Sequence, residues 1–306
     1  MAKTRALRRR IRSIESTRQV TRTMEMVSTS KLKRAQDRVV GARPYAQALA
    51  EVIGDLLSPE LAEHFPLLRS PAPPARGGPT RAAVLLVTSN RGLAGAFNAN
   101  LIRAARERVH ELEIRGFTVD LLAVGKKGIN YFKFVRQPLA LARLDIGDRP
   151  TAQHAIELVQ PLIERFEAGA LASLDVVYAH FKSALTTPPV IERVLPIAAG
   201  AALADRPAAA GGKAAGAPRR ANFILRPGAD GILSELLPLY VRNMVFRALV
   251  ETAASEHGAR RAAMKNATDN AGEILDLLRR TYNRARQGQI TQELAEIVGG
   301  AEALKG

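Results

Sequence analysis

The sequence predicts an α/β protein, with a mostly parallel, doubly wound sheet set between two long terminal helices that pair antiparallel. Three observations predict it. Apolar residues recur at helical spacing at both chain ends, over stretches longer than an ordinary globular helix. Between them, short apolar runs alternate with helical patterns. Neither terminal stripe can be buried by its own helix, so the economical partner for each is the other.

The first helix is expected over Lys3–Leu57, within a segment spanning 1–58. Steps of three and four residues trace a seam through Leu7, Ile11, Ile14, Arg18, Thr21, Glu25, Ser28, Leu32, Ala35, Val39, Ala42, Ala46, Leu49, Ile53 and Leu56. The seam is apolar at both ends and polar from Arg18 to Ser28. At 1.5 Å per residue the helix would be roughly 80 Å long, with Pro44 a candidate kink. A run rich in Pro and Gly over 70–79 (SPAPPARGGP) breaks the pattern and reads as a linker.

The α/β domain is expected over 80–200. Its strands are read at Arg81–Thr88 (RAAVLLVT), Val119–Gly125 (VDLLAVG), Leu139–Leu144, Leu174–Phe181 (LDVVYAHF) and Val190–Pro196. Helices are read at Asn98–Leu112, Lys126–Phe134 and Thr151–Ala168, with Thr151 a suitable N-cap. Residues 201–228 hold an Ala-, Gly- and Pro-rich stretch (AAAGGKAAGAP) with almost no large apolar side chain, which reads as a flexible segment. The last helix is expected over Asp230–Leu304, within 229–306, and would reach roughly 110 Å. It is the longer of the two, so its tip should run past its partner.

Composition narrows the function. The chain has no Cys, which excludes disulfides, thiolate metal sites and thiol nucleophiles. No apolar run is long enough to span a bilayer. The Arg-rich start imitates a transit peptide, but the helical pattern runs unbroken past Lys31. The net charge of +16 asks for an acidic partner, and nucleic acid is the default on composition alone. Residues 1–38 carry twelve basic and three acidic residues, whereas the stretch from Ile232 onward carries ten and nine. The run Arg8-Arg9-Arg10-Ile11-Arg12 fits a nucleic-acid arm, a solvated helix face or a helix that slides past acidic protein loops, and charge alone does not separate these.

Nothing resembles an active site. The Gly-containing turn Ser89–Asn98 follows a strand and opens a helix, a place where phosphate can bind, yet its spacing matches neither nucleotide fingerprint. A tight structural turn is the favoured reading. Gly125-Lys126-Lys127-Gly128 has no Ser or Thr after the Lys to hold magnesium. His64, His110, His154, His180 and His257 are not spaced as metal ligands.

Taken together, several motifs resemble the gamma chain of F-type ATP synthase over essentially the whole chain. They are RIRSI (10–14), TRQVT (17–21), MEMV (24–27), SKLKRAQ (30–36), RPYA (43–46), TSNRGL (88–93), GKKG (125–128), ASEH (254–257), ATDNAGE (267–273), YNRARQ (282–287) and ITQELAEIVGGA (290–301). Asn90 stands where the family usually has Asp, Ala94 where Cys is common and Ala96 where Gly is common. Gly258 and Arg261 depart from the usual Ala and Met.

The resemblance implies an antiparallel coiled coil plus a Rossmann-like α/β domain. It implies a rotating central stalk with no active site and no cofactor, coupling ion flow to ATP synthesis in other chains. The implied partners are three alpha and three beta chains around the coiled coil, with the epsilon chain and the membrane ring of c chains at the α/β domain, and no nucleic acid. The implied place is the cytoplasmic side of a bacterial inner membrane, held peripherally. By the same resemblance, Arg9, Arg10, Arg12, Arg22, Lys31, Lys33 and Arg34 would face acidic loops of the beta chains, with Met24 at the contact. Arg286, Gln287, Thr291 and Glu293 match positions that touch the upper sleeve, and Ile297–Leu304 would form an apolar tip. Torque is expected to pass through the polar stretch Arg18–Ser28. The rivals are a nucleic-acid-binding coiled coil, a nucleotide-dependent enzyme, and a V-type rotor, which is expected to lack the α/β domain.

Overall fold

A computed structural model describes residues 2–56, 64–69, 80–197 and 228–303. The expected linker at 70–79 and most of the Ala/Gly/Pro-rich stretch lie outside these residues. The chain divides into two units, Met1–Ser30 with Arg260–Gly306, and Lys31–Ala259.

In chain order the elements are α1 (Ala2–Leu56), a short 3-10 turn (Pro66–Leu68), β1 (Arg81–Val87), α2 (Phe97–Ile114), β2 (Thr118–Val124) and α3 (Lys126–Phe134). Then come β3 (Leu141–Arg143), α4 (Ala152–Glu167), β4 (Ser173–Ala179), β5 (Pro189–Leu195) and α5 (Ala229–Ala303). Pro44 lies inside α1, which is assigned as a single helix. The third strand is shorter than its apolar run.

The larger unit holds a five-stranded sheet in the order β3-β2-β1-β4-β5. β1 runs parallel to β2 and β4, β2 parallel to β3, and only β5 is antiparallel. β1 is apolar on both faces because both are covered. Ala83, Leu85 and Val87 meet Leu158 and Leu162 of α4, Ile53 of α1 and Val241 of α5. Ala82, Val84 and Leu86 meet Leu101 and Ala105 of α2. A third cluster joins Leu32, Ala35 and Val39 of α1 to Phe181, Val250 and Ala254.

Local chemistry sets the helix starts. α4 begins with a capping box: the His154 amide donates to the Thr151 hydroxyl, and the His154 ring accepts from the Thr151 amide. The Thr was legible as a cap, but His in place of Glu or Gln as its reciprocal partner was not. Gly125 opens α3 at φ 95°, and a Cβ there would lie 2.1 Å from the Thr88 carbonyl oxygen. Only glycine fits this position.

The smaller unit is an antiparallel helix pair. Thr4 Oγ1 lies 3.2 Å from Gln289 Oε1, Arg279 donates to Glu15 at 2.6 Å, and Thr268 Oγ1 meets Thr21 Oγ1 at 2.8 Å. The partner numbers fall as the α1 numbers rise, which is the antiparallel register. On α5 the facing residues are Met264, Thr268, Ala271, Leu275, Leu278, Tyr282, Ala285 and Gln289, a repeat of four and three. Ile274, apolar in sequence, is 46% exposed, because the seam runs through its neighbour Leu275 instead.

Candidate partner surfaces and a filled crevice

In an open α/β sheet, ligands bind beyond the carboxyl ends of the parallel strands, where the strand order reverses. Here that point lies between β1 and β4. The chain fills it from the β4 side with groups of α5.

Next to it, beyond the adjoining ends of β1 and β2, three consecutive amides at the start of α3 are taken. Lys126 N–H donates to Asn90 Oδ1 at 2.9 Å, Lys127 N–H to the Ser89 carbonyl at 3.1 Å, and Gly128 N–H to Thr88 Oγ1 at 3.0 Å. These are the donors a phosphate would need. Asn98 closes the turn by accepting from the Ser89 amide at 3.0 Å. Asn90 also donates through Nδ2 to the carbonyls of Leu144 (3.1 Å) and Ile146 (3.0 Å). An Asp carboxylate could not make those two bonds, which gives this departure from the family pattern a local role. The reading of Ser89–Asn98 as a structural turn accords with this geometry.

On the β4 side, α5 docks into the strand end. Thr252 Oγ1 accepts from the Ala179 amide at 3.3 Å, and Ser255 Oγ donates to the Ala179 carbonyl at 3.2 Å. Glu251 Oε2 accepts from the Phe181 amide at 3.1 Å and lies 2.5 Å from His180 Nδ1. Glu251 and Ser255 are 3% and 0% exposed. Arg247 bridges the carboxylates of Glu251 (3.5 Å) and Glu192 (3.7 Å), and Glu192 accepts from Tyr178 at 2.7 Å. Burial, then the Glu192 charge, pushes the Tyr178 hydroxyl pKa up, so the phenol remains a donor. Gly258 sits one turn beyond Ala254, and a Cβ on it would stand 3.0 Å from the Ala184 carbonyl oxygen. Glycine therefore lets the segment after β4 lie close against the helix. Sequence reading gave no role to Glu251, Thr252 or Ser255. The hint was a polar cluster inside an otherwise apolar helix face.

The positions expected to meet partners are largely outward. In the smaller unit Arg9, Arg10, Arg12 and Arg22 are exposed and Met24 is half-buried. Arg286, Gln287, Thr291 and Glu293 are exposed on α5, where Glu293 accepts from Gln289 at 2.8 Å and Thr291 donates to the Gln287 carbonyl at 3.0 Å. From residue 290 to 300 α5 is exposed throughout, including Leu294, Ile297 and Val298. In the larger unit Lys33 and Arg34 are exposed, and Lys33 pairs with Asp37 at 3.1 Å. Lys31 is half-buried and pairs with Asp148 at 2.5 Å, so its charge is already engaged within the chain. Burial pushes the Asp148 carboxyl up, but the Lys31 bond and the fields of His257, Lys31 and Arg91 hold it below its usual range.

The polar stretch of the seam also has a structure. Thr21, Ser28 and Thr268 are 8%, 2% and 8% exposed. The Thr21 hydroxyl donates to the Arg18 carbonyl at 3.0 Å, and the single Thr268 hydroxyl proton lies within reach of both Thr21 Oγ1 and the Met264 carbonyl, each at 2.8 Å. Ser28 donates to the Met24 carbonyl at 2.7 Å. Among the described residues no group of His, Asp and Glu is placed to hold a metal ion.

Known proteins resemble this chain over its length. A family model described as ATP synthase matches residues 3–304. The ATP synthase gamma chain of Gemmatimonas aurantiaca is 56% identical over 306 residues, covering the whole of both chains. That of Moorella thermoacetica is 42% identical over 307 residues, again covering both chains in full. Among solved structures, a chain of the Euglena gracilis mitochondrial ATP synthase (OSCP/F1/c-ring, rotational state 3) superposes with a TM-score of 0.68. It is 20% identical, and the match covers 99% of this chain and 95% of that one. At that identity the likeness speaks to the fold alone.

Proposed function

This chain belongs to the ATP synthase gamma-chain family and is a non-catalytic central-stalk subunit, and from that premise we propose how its surfaces carry torque. The exposed arginines Arg9, Arg10, Arg12 and Arg22, with Lys33 and Arg34, face acidic loops of the surrounding beta chains. Met24 lies at that contact, and Lys31 holds α1 to the α/β domain through Asp148 as well as adding positive field. Arg286, Gln287, Thr291 and Glu293 touch the upper part of the alpha/beta sleeve. The α/β domain meets the epsilon chain and the c-ring. The complex acts at the cytoplasmic face of a bacterial inner membrane, and no helix among the described residues is long and apolar enough to cross it.

One observation carries this reading. The crevice that serves a ligand in other α/β sheets is filled here by Glu251, Thr252 and Ser255, so the sheet grips a helix instead. The exposed charges suit a surface that must turn. Each exposed pair is worth about 0–1 kcal/mol and is weakly directional, so attraction persists while no single contact arrests rotation.

Reconstitution tests the proposal. The chain is mixed with alpha and beta chains, and assembly and ATPase activity are followed at low and high salt. Assembly should depend on the chain, and an R9Q/R10Q/R12Q/R22Q variant should bind more weakly at low salt and with a flatter salt dependence. If alpha and beta assemble no better with the chain than without it, the rotor reading fails. If the variant matches the wild type, the assignment of those arginines fails alone.

A further inference from the structure

A recess of about 220 Å³ lies in the larger unit between α1, α5 and the segment that follows β4. Arg43 and Gln47 line it from α1, Arg247 and Glu251 from α5, and His180 from beyond the strand. Val39 and Val250 form part of its apolar wall. The volume is below the roughly 300–1,000 Å³ of sites for larger molecules, and suits one small ion with a few waters of about 30 Å³ each.

The charges around the recess are unevenly spent. The Glu251 carboxylate is engaged by the Phe181 amide, His180 Nδ1 and Arg247. Glu192, the next acid along this network, accepts from Tyr178 and pairs with Arg247. Both acids are therefore matched within the chain, and Arg43 is the charge left over. Among the described residues the Arg43 side chain has no ion pair, and the Gln47 side chain has no hydrogen-bond partner. His180 spends Nδ1 on Glu251 and keeps Nε2. These groups are open to solvent: Arg43 is exposed, Gln47 is half-buried, and the His180 and Arg247 side chains are 31% and 23% exposed.

We propose that this recess binds a small tetrahedral oxyanion of the phosphate class. Arg43 and Gln47, four residues apart on one helix face, donate to it from one wall. His180 and Arg247 close the opposite wall, where a neutral His180 Nε2 can accept from a phosphate hydroxyl and a protonated one can donate to an oxygen. A tetrahedral ion can meet both walls at once, whereas a carboxylate offers its two oxygens in a single plane. The apolar wall strengthens these bonds by lowering the local dielectric. The bound ion bridges α1 to α5 and to the end of β4. The site shares no residue with the surfaces proposed to carry torque, so it stands or falls separately from them.

The test titrates the full chain with inorganic phosphate, and with acetate for comparison, by calorimetry at neutral pH and constant ionic strength. Phosphate should bind at one site, with acetate at least about tenfold weaker. Arg43→Gln should weaken phosphate at least about tenfold and Gln47→Leu at least about threefold, both on an accessible helix face. The R9Q/R10Q/R12Q/R22Q variant should bind phosphate as the wild type does. Phosphate should raise the thermal midpoint of the wild type more than that of Arg43→Gln. Absence of phosphate binding would overturn the proposal, as would acetate binding as tightly as phosphate. So would binding that survives Arg43→Gln but is lost in R9Q/R10Q/R12Q/R22Q, which would make it a general attraction to the basic start of α1. If Arg43→Gln does not fold, Gln47→Leu and the comparison with acetate decide.

Discussion

Glu251→Ala tests the socket in which the sheet holds α5. The wild-type carboxylate takes the Phe181 amide at 3.1 Å, His180 Nδ1 at 2.5 Å and Arg247 Nε at 3.5 Å, and Glu251 is 3% exposed. Removing it strips the Phe181 amide of its acceptor, at about 1–3 kcal/mol. Arg247 loses this partner and keeps its pair with Glu192, at 3.7 Å. The His180 side chain is 31% exposed, so water recovers part of its loss. The expected total is about 3–4 kcal/mol, at the low end of the roughly 3–5 kcal/mol for removing one partner of a buried pair. Glu251→Gln retains an oxygen for the Phe181 amide and should cost about half as much. Urea unfolding of the full chain, followed by tyrosine fluorescence, reads this directly. Tyr45, Tyr131, Tyr178 and Tyr240 all lie in the larger unit, and Tyr282 alone in the smaller one. With a urea slope of about 2 kcal/mol per molar, the midpoint should fall by roughly 1.5–2 M in Glu251→Ala. A shift below about 0.3 M would refute the socket as an energetic anchor. Equal damage from Gln and Ala would show that charge, rather than the bond to the amide, holds the helix.

Gly125→Ala would set a Cβ 2.1 Å from the Thr88 carbonyl at a backbone φ of 95°; a loss of about 4 kcal/mol or more is expected, seen as insoluble expression or a lost unfolding transition. Asp148→Asn should cost about 1 kcal/mol near neutral pH, since both ends of its pair with Lys31 are about a third exposed. The folded Asp148 pKa is lowered, so the wild-type advantage is present above the ordinary value of 3.8 and is lost as pH falls through the lower folded value. Stability curves of the two proteins should therefore converge in acid, and a constant gap would contradict the assignment. Thr21→Val and Thr268→Val should each cost no more than about 1 kcal/mol, because each hydroxyl has a backbone acceptor of its own, and the double variant should be neutral or stabilised in thermal melts.

The α1 seam was legible almost residue by residue because heptad spacing is a local property of sequence. Leu32, Ala35, Val39, Leu49 and Ile53 are all buried, and Ile53 is fully so. On α5 the same method leaned on Ala267 and Ile274, because it follows apolar residues and passed over the buried Thr268 beside them. The strands were legible from apolar runs, and the Thr151 cap from its type. The socket was not legible. Glu251 and Phe181 are 70 residues apart, and no periodicity connects a carboxylate on a helix to an amide beyond a strand. The Lys31–Asp148 pair, 117 residues apart, was hidden for the same reason, so Lys31 read as a free surface charge. Asn90 and Gly258 read as departures from a family pattern, and their reasons lie in Leu144, Ile146 and Ala184, all distant in sequence.

The hydroxyl pair at Thr21 and Thr268 contributes little energy, yet it makes the helix pairing addressable. Apolar rungs such as Met264, Ala271 and Leu275 are interchangeable, and a slip of one heptad would exchange one for another at small cost. A slip that brought Leu275 opposite Thr21 would part the two hydroxyls, setting Thr21 against hydrocarbon and Thr268 level with Ser28. The pair therefore acts as an index mark. It fixes which layer of α5 faces which layer of α1, and with it the angular phase of every charge carried on the outer faces. For a part that must present the same side to successive neighbours, an error of phase would be worse than a loss of stability.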